Sequence, residues 1–314
     1  LIVIDRLDAV PAGLGPSAIT IGKFDGVHAG HRAVLDMLLH EARARGLAGV
    51  VVTFDRNPLA VLRPDSCPPN LASLQQKLEL LDEAGVDATV VLEFDTRLAD
   101  WTPEQFVERI LVRALETRLV LVGADFRFGA RGSGTLATLE ALGAQHGFEV
   151  LVVPDVLTDG ARASSSRIRS LLDAGDVEAA TRLLGRAPRM RAEVVPGLRR
   201  GRELGYPTAN LAVSAEGLAP GEGVYAGWLV DTSAPGRPRY PAAISVGTNP
   251  TFDDVEIKQV EAHVLDEDLD LYGHVVEVAF THRLRGMVAY AGIGPLIEQM
   301  GRDVDEARTL LAQA

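Results

Sequence analysis

A chain of 314 residues has room for about two domains of ~150 residues each. Its 31 Lys+Arg against 43 Asp+Glu leave a formal charge of −12, which argues against a general nucleic-acid binder, because a polyanion needs a basic face. One local basic pocket for a phosphorylated small molecule is still allowed.

A hydrophobic content of 47% with 24% charged residues supplies buried cores and excludes low-complexity disorder. Cys67 is the only cysteine, so no internal disulfide or cysteine-rich zinc site can form, and a reducing cytoplasm is the natural compartment. No apolar run approaches the ~20 residues needed to span a bilayer. Residues 1–4 are apolar, but Asp5 and Arg6 follow at once, unlike a signal peptide.

The first half alternates strand and helix. Residues 18–21 predict a short buried strand. Residues 31–45 predict a helix with Val34, Leu35, Leu38, Leu39 and Ala42 on one face and Gly46 as its C-terminal cap. Residues 50–54 are β-branched and apolar, as in a strand buried on both faces. Together these form the βαβ unit of a parallel sheet. Asn70 is expected to cap a helix through Leu74, Leu78 and Leu81, followed by a strand at 89–92. Thr102-Pro103-Glu104-Gln105 has the cap, the proline and the glutamine of a strong helix start. Residues 119–122 and 150–153 supply two more strands, completing an open α/β sheet.

The character changes near Gly185-Arg186-Ala187-Pro188, after two short helices at 168–172 and 177–184. Beyond it, β-type segments at 192–195, 224–230, 242–246, 259–265 and 275–280 lie between Gly and Pro turns. Strands without intervening helices suggest an antiparallel barrel, and residues 295–311 predict a terminal helix. The domains are thus expected at 1–182 and 186–314.

The sharpest local feature is Gly22-Lys23-Phe24-Asp25-Gly26-Val27-His28-Ala29-Gly30-His31, between the first strand and the first helix. Ligands of parallel α/β sheets bind there, beyond the carboxyl ends of the strands. Gly22, Gly26 and Gly30 allow close backbone approach, and a helix N-terminus offers N–H groups and a positive dipole to phosphate. His28 and His31, three apart, can project to one side, donate to phosphate oxygens and stabilise charge at an attacked phosphorus. An ordinary strand-to-helix connection is the duller reading. A zinc pair lacks a third ligand at suitable spacing, and no G-x-x-x-x-G-K-[ST] occurs.

This segment resembles the GxFDGxHxGH signature of nucleotidyltransferases that adenylylate small phosphorylated compounds. Its FDGVH core is similar to the flavin-making branch, the prokaryotic bifunctional riboflavin kinase/FAD synthetases. Later segments agree in order. Gly123-Ala124-Asp125-Phe126-Arg127-Phe128-Gly129 is similar to the family's GxNFxFG or GxDFxFG stretch, and Ser164-Ser165-Ser166-Arg167-Ile168-Arg169 resembles its SSTxIR motif. As residues, the latter offer hydroxyls for phosphate or a helix cap and two arginines for a triphosphate; a serine cap with solvated arginines is the alternative.

The second half has its own signature. Gly201-Arg202-Glu203-Leu204-Gly205-Tyr206-Pro207-Thr208-Ala209-Asn210 resembles the riboflavin kinase motif with its PTAN element. Thr208 and Asn210 alternate along an extended stretch and so share a face, offering hard oxygen donors that suit Mg²⁺ bound with nucleotide phosphates. Read alone, Pro-Thr-Ala-Asn is a turn entering a strand. Residues 223–226, 245–252, 260–263 and 270–273 match the family in order. The resemblance implies that Glu261 is the general base for the ribityl hydroxyl, a task a carboxylate within reach can perform.

The resemblance, over about residues 15–311, implies an N-terminal open parallel α/β, Rossmann-like adenylyltransferase domain and a C-terminal antiparallel β-barrel riboflavin kinase domain with a terminal helix. The expected ligands are riboflavin, FMN, FAD and ATP/ADP, with Mg²⁺ as cofactor, no nucleic acid and no membrane; homo-oligomerisation is left open. His28, His31 and Arg169 would act on the triphosphate of the first site. Gly22, Phe24, Asp25, Gly26, Gly30, Asp125, Arg127, Ser164, Ser165 and Ser166 would bind nucleotide there. Gly201, Arg202 and Pro207 would do so in the second, with Thr208 and Asn210 at the metal.

The pattern is not perfect. Asn57 stands where the family's TFDPHP has a histidine, and Asn cannot carry a proton charge. Asp125 stands where many relatives have Asn, Ser166 replaces Thr, and Met287 replaces the glutamate of RLRxE. Two rivals follow: a riboflavin kinase with a silent first domain, and a flavin- or RNA-binding regulator that kept the fold. The charge of −12 and the presence of Glu261 speak against the regulator.

Overall fold

The computed structural model describes residues 1–154, 157–158, 161–197, 205–250 and 256–313. By packing, the chain divides into two units, Leu1–Ser164 and Ser165–Ala314.

In the first unit, six strands form one all-parallel sheet: β1 (Ile2–Ile4), β2 (Ser17–Ile21), β3 (Ala48–Phe54), β4 (Ala88–Leu92), β5 (Thr117–Gly123) and β6 (Glu149–Val153), in the order β1-β4-β3-β2-β5-β6. Every residue of β2 and β4 is buried, as a sheet covered on both faces requires. Successive side chains feed opposite cores. Ile19, Val50, Val52 and Val120 pack in one, while Ala18, Val51, Leu119 and Leu121 pack in the other against Leu35 and Leu38.

The helices are α1 (Ala29–Arg45), α2 (Leu59–Leu62), α3 (Leu74–Glu83), α4 (Thr96–Ala99), α5 (Pro103–Phe106, running on into a wide-turn helix Val107–Ala114) and α6 (Leu136–His146). A small hairpin, β7 (Leu157–Thr158) and β8 (Ala161–Arg162), follows. Helix α1 buries Leu35, Leu38, Leu39 and Ala42, and the Gly46 amide donates to the carbonyls of Ala42 and Arg43, ending the helix as predicted. The expected cap of α3 is corrected. Ser73, not Asn70, starts it, because Ser73 and Gln76 form a reciprocal capping box, each backbone N–H bonded to the other's side chain at 3.0 Å. The predicted box at Thr102–Gln105 is present.

In the second unit, α7 (Ser165–Asp173) and α8 (Val177–Leu184) precede a closed antiparallel barrel. Its strands are β9 (Arg189–Val195), β10 (Ala209–Leu211), β11 (Gly223–Asp231), β12 (Arg239–Pro250), β13 (Glu256–Val264) and β14 (Val275–Arg285), in the order β10-β13-β12-β11-β14-β9. Tyr225, Phe280, Leu229 and Ile244 are fully buried among them. A terminal helix, α9 (Ile293–Leu311), lays Ala307 and Leu311 on Ala226 and Ala243. Four strands were not predicted as such: β1 and β10, each three residues long, and β7 and β8, each two. Closure through β10 places the Thr208–Asn210 segment beside β13.

Candidate active sites

In the first unit the turn from β2 into α1 is bent by an unusual run of backbone. Phe24, Gly26 and Val27 have φ of +49°, +77° and +37°. The left-handed region costs a β-branched residue of order 1–3 kcal/mol, and only a surrounding that over-determines the loop can hold it there. Phe24 and Val27 are both buried in the core under α1, which supplies that constraint.

The loop delivers His28 to the N-cap of α1, where its Nδ1 accepts from the His31 amide at 3.4 Å. A ring accepting at Nδ1 carries its hydrogen on Nε2 when neutral. The two rings stack with centroids 3.7 Å apart, and Phe24 leans on His31 at 5.0 Å. A side chain at Gly30 would sit 3.1 Å from the His28 ring, so glycine there leaves the imidazole its place. Gly22, Phe24, Asp25, Gly26, His28, Gly30 and His31 are thus one constellation at the positive end of a 17-residue helix, a place suited to phosphate oxygens.

Beside it opens a pocket lined by Lys23, Asp25, Asp55, Asn57, Asn70 and Lys77, among others. Asp25 accepts from the Leu71 amide at 2.8 Å and Asp55 from the Phe94 amide at 2.8 Å. Lys77, which sequence reasoning did not single out, is buried there. Burial pulls its ammonium pKa down to about 8, against the upward pull of Asp25 and Asp55.

The departures from the family pattern find partners. The Asn57 side-chain oxygen accepts from the Leu59 amide at 3.1 Å, opening the short α2. Asp125 is bound by Arg162 at 2.9 Å, a hydrogen bond that holds its carboxyl below the usual carboxylate range against a smaller desolvation cost. Its extra negative charge is therefore matched by an arginine. Arg127 reaches the Phe126 carbonyl at 3.3 Å, and Phe126 stacks on Phe128 at 5.5 Å. Ser164 closes the first unit, whereas Ser165, Ser166 and Arg169 stand on α7, in the second. Their expected part in the first site rests on the sequence motif.

In the second unit, β10 and β13 pair with Asn210 opposite Glu261. Three alternate residues of β13 reach one by one across Pro207–Asn210. The His263 Nδ1 donates to the Pro207 carbonyl at 2.8 Å, the Thr208 hydroxyl donates to Glu261 at 3.4 Å, and the Gln259 amide donates to the Asn210 oxygen at 3.1 Å. Asn210 also donates to the carbonyl and hydroxyl of Thr208 at 3.3 and 3.4 Å. The intervening Val260, Ala262 and Val264 are buried, as the two-residue period of a strand dictates. Gln259 and His263 were missed by the sequence reading, although their spacing of two from Glu261 carried the signal.

Burial raises the Glu261 pKa, partly offset by the Thr208 hydrogen bond, which moves the carboxylate toward the range useful to a general base. A pocket lined by Gly197, Thr208, Asn210, Asp270, Leu271 and Tyr272, among others, opens beside this cluster. Arg283 holds the Ala174 carbonyl at 2.6 Å, Arg285 makes a two-pronged pair with buried Asp303, and Met287 is exposed. Gly201 and Arg202 lie outside the described residues.

Hydroxyl and amide oxygens at Thr208 and Asn210 are hard donors that suit a magnesium ion completed by phosphate oxygens, which leaves the Glu261 carboxylate to accept a proton. No group of three or more His, Cys, Asp or Glu able to hold a metal occurs among the described residues.

Comparison with known proteins agrees with both halves. The FAD synthetase family model matches residues 11–167 and the riboflavin kinase model residues 184–311. The "Bifunctional riboflavin kinase/FMN adenylyltransferase" of Escherichia coli (strain K12) is 36% identical over 290 residues, covering 92% of this chain and 91% of the relative. That of Pseudomonas fluorescens is 36% identical over 293 residues, covering 93% and 92%. A solved structure described as a macrolide-efflux protein from Streptococcus pneumoniae is similar with a TM-score of 0.86 and 30% identity, over 98% of each chain. That description belongs to the other protein; among the described residues here, no helix is long and apolar enough to cross a membrane. With both family models in order along one chain and relatives matched over nearly their whole length, the chain belongs to the bifunctional riboflavin kinase/FMN adenylyltransferase family.

Proposed function

We propose that this chain makes FAD from riboflavin in two steps at two sites, each using an ATP. The barrel would transfer the γ-phosphoryl group of ATP to the ribityl hydroxyl of riboflavin, giving FMN and ADP. The α/β domain would join FMN to AMP from a second ATP and release pyrophosphate. The functional division proposed is 1–182 and 186–314, in the cytoplasm.

The observation that carries the reading is the cluster of Thr208, Asn210 and Glu261 where β10 pairs with β13, beside a pocket that Thr208 and Asn210 help to line. Glu261 takes the proton of the hydroxyl as its oxygen attacks phosphorus. Mg²⁺, held by Thr208, Asn210 and the nucleotide, would supply charge neutralisation to the transferring phosphoryl group. Pro207 is kept in place by His263, which sets the turn that presents Thr208.

In the first domain the FMN phosphate is already ionised and needs no base. His28 and His31, with the amides at the start of α1, orient the triphosphate and stabilise charge developing at the α-phosphorus. Arg169 and the serines of its motif join them on the strength of the family resemblance. The kinase-only alternative leaned on Asn57 and Asp125. Their local roles, a helix start and an arginine-paired carboxylate, leave the histidine loop undisturbed and favour two activities.

Paired variants test the assignment. Glu261→Gln should make FAD from FMN but not from riboflavin, while His31→Ala should make FMN from riboflavin and little FAD from either. Loss of both activities in both variants would overturn the two-site division.

A further inference from the structure

Lys77 is an unusual residue for an amphipathic helix. It is 8% exposed, and an ammonium group taken out of water must find partners for three hydrogens. It has three acceptors. Its Nζ donates to the Phe54 carbonyl at 2.8 Å, the Thr53 hydroxyl at 3.2 Å and the Lys23 carbonyl at 3.3 Å. The Thr53 hydroxyl passes its own hydrogen on to the Lys23 carbonyl at 3.2 Å, so the four groups form one network.

These acceptors belong to two different loops. Lys23 lies between the end of β2 and Phe24, where the strained turn to His28 and His31 begins. Phe54 ends β3 and leads into Asp55, Arg56 and Asn57. The charged groups around the ammonium are Asp25 after β2 and Asp55 after β3, with Lys23 and Arg56 lining the same pocket and Arg56 paired to Asp55 at 2.6 Å. Lys77 is thus the cross-brace between the carboxyl ends of two adjacent parallel strands, the place where such sheets bind ligands.

We propose that Lys77 is a positioning residue of the adenylylation site, its ammonium group clamping the loop that carries His28 and His31 to the loop after β3. This rests on reading the first domain as the adenylyltransferase. The clamp needs the charged form. A neutral amine has two hydrogens for three acceptors and turns a lone pair toward an oxygen, so the brace weakens as Lys77 deprotonates, near pH 8.

The test uses the full chain in three forms: wild type, Lys77→Met and Lys77→Arg. Backbone amide exchange is followed by segment, alongside FMN adenylylation and riboflavin phosphorylation. In Lys77→Met, exchange at residues 22–28 and 54–58 should quicken by at least ~10-fold, and adenylylation kcat/KM should fall by a similar factor, the cost of charged hydrogen bonds left unmade. Barrel segments and riboflavin phosphorylation should not change. Lys77→Arg, which stays charged, should recover part of both.

Above pH 8 the wild type, corrected for intrinsic exchange, should open at the same two segments, and Lys77→Arg should not. Wild-type exchange in both segments of Lys77→Met would overturn the proposal, as would identical pH behaviour of wild type and Lys77→Arg. If Lys77→Met loses the whole first domain, the pH comparison with Lys77→Arg decides. If the segments open as expected but the wild type makes no FAD from FMN, the clamp stands and the adenylyltransferase reading fails.

Discussion

Replacing Gly197 with alanine perturbs the kinase site without altering any charge, donor or acceptor. A Cβ at position 197 would lie under 3.0 Å from the side-chain carbon, oxygen and nitrogen of Asn210. Asn210 has no room to yield: it is 4% exposed, and its backbone is paired with Val195 on one side and Glu261 on the other. Its side chain must therefore leave its three hydrogen bonds, two to Thr208 and one from Gln259. At about 0.5–1.5 kcal/mol net for each bond, the displacement costs about 1.5–4.5 kcal/mol. At a factor of ten per ~1.4 kcal/mol, that is roughly a 10- to 1,000-fold loss of kcat/KM. The assay is the initial rate of FMN formation from riboflavin and ATP with Mg²⁺, with FAD formation from FMN in the same preparation as the control. Adenylylation should be unchanged, because Gly197 belongs to the other unit. A folded variant with wild-type phosphorylation would refute the claim that the placement of the Asn210 amide matters.

Other outcomes follow from the same geometry. Glu261→Gln should lose ~10²–10⁴ of the phosphorylation rate, the usual worth of a general base, yet should not lower the melting temperature of the second unit. A carboxyl whose folded pKa is raised contributes its stabilisation below its unfolded value, and that stabilisation is gone once the pH has risen through the folded one. At neutral pH the half-buried Glu261 carboxylate is therefore a cost, and the amide removes it. Phosphorylation should also show an acid limb displaced above the ordinary 4.5, because burial raises Glu261; activity falls as pH drops through that raised value. Gly30→Ala, whose Cβ would press on the His28 ring at 3.1 Å, should depress FAD formation from FMN and spare FMN formation from riboflavin. Asp303→Ala strips a buried carboxylate from Arg285, which keeps some solvent access, and should cost about 3 kcal/mol, the low end for a broken buried pair, read as thermal unfolding of the barrel.

The central strands were legible because their environment is written into them: Ala18, Ile19 and Ile21 of β2, Val50, Val51 and Val52 of β3, and Leu119, Val120, Leu121 and Val122 of β5 are apolar and buried. Three-residue strands such as β1 and β10 carry too little pattern to be seen, since pairing with β4 and β13 makes them strands. Asn70 misled because asparagine is a good cap in isolation; the reciprocal bonds of Ser73 and Gln76 outweigh a single one. In the sites, motif residues were visible and their supports were not. A lysine on an amphipathic helix reads as solvated, and nothing local shows that Lys77 meets carbonyls 23 and 54 residues away. Arg162 likewise lies 37 residues from the Asp125 it balances. Gln259 and His263 are different: their alternation with Glu261 along a strand was there to be used.

The most direct test of two working sites on one chain is a product assay with purified protein, ATP and Mg²⁺, started once from riboflavin and once from FMN, with the flavins resolved by chromatography. The account predicts FAD from both, with FMN appearing first when riboflavin is the start. FMN from riboflavin with no FAD from either would contradict it and leave the histidine loop without its reaction.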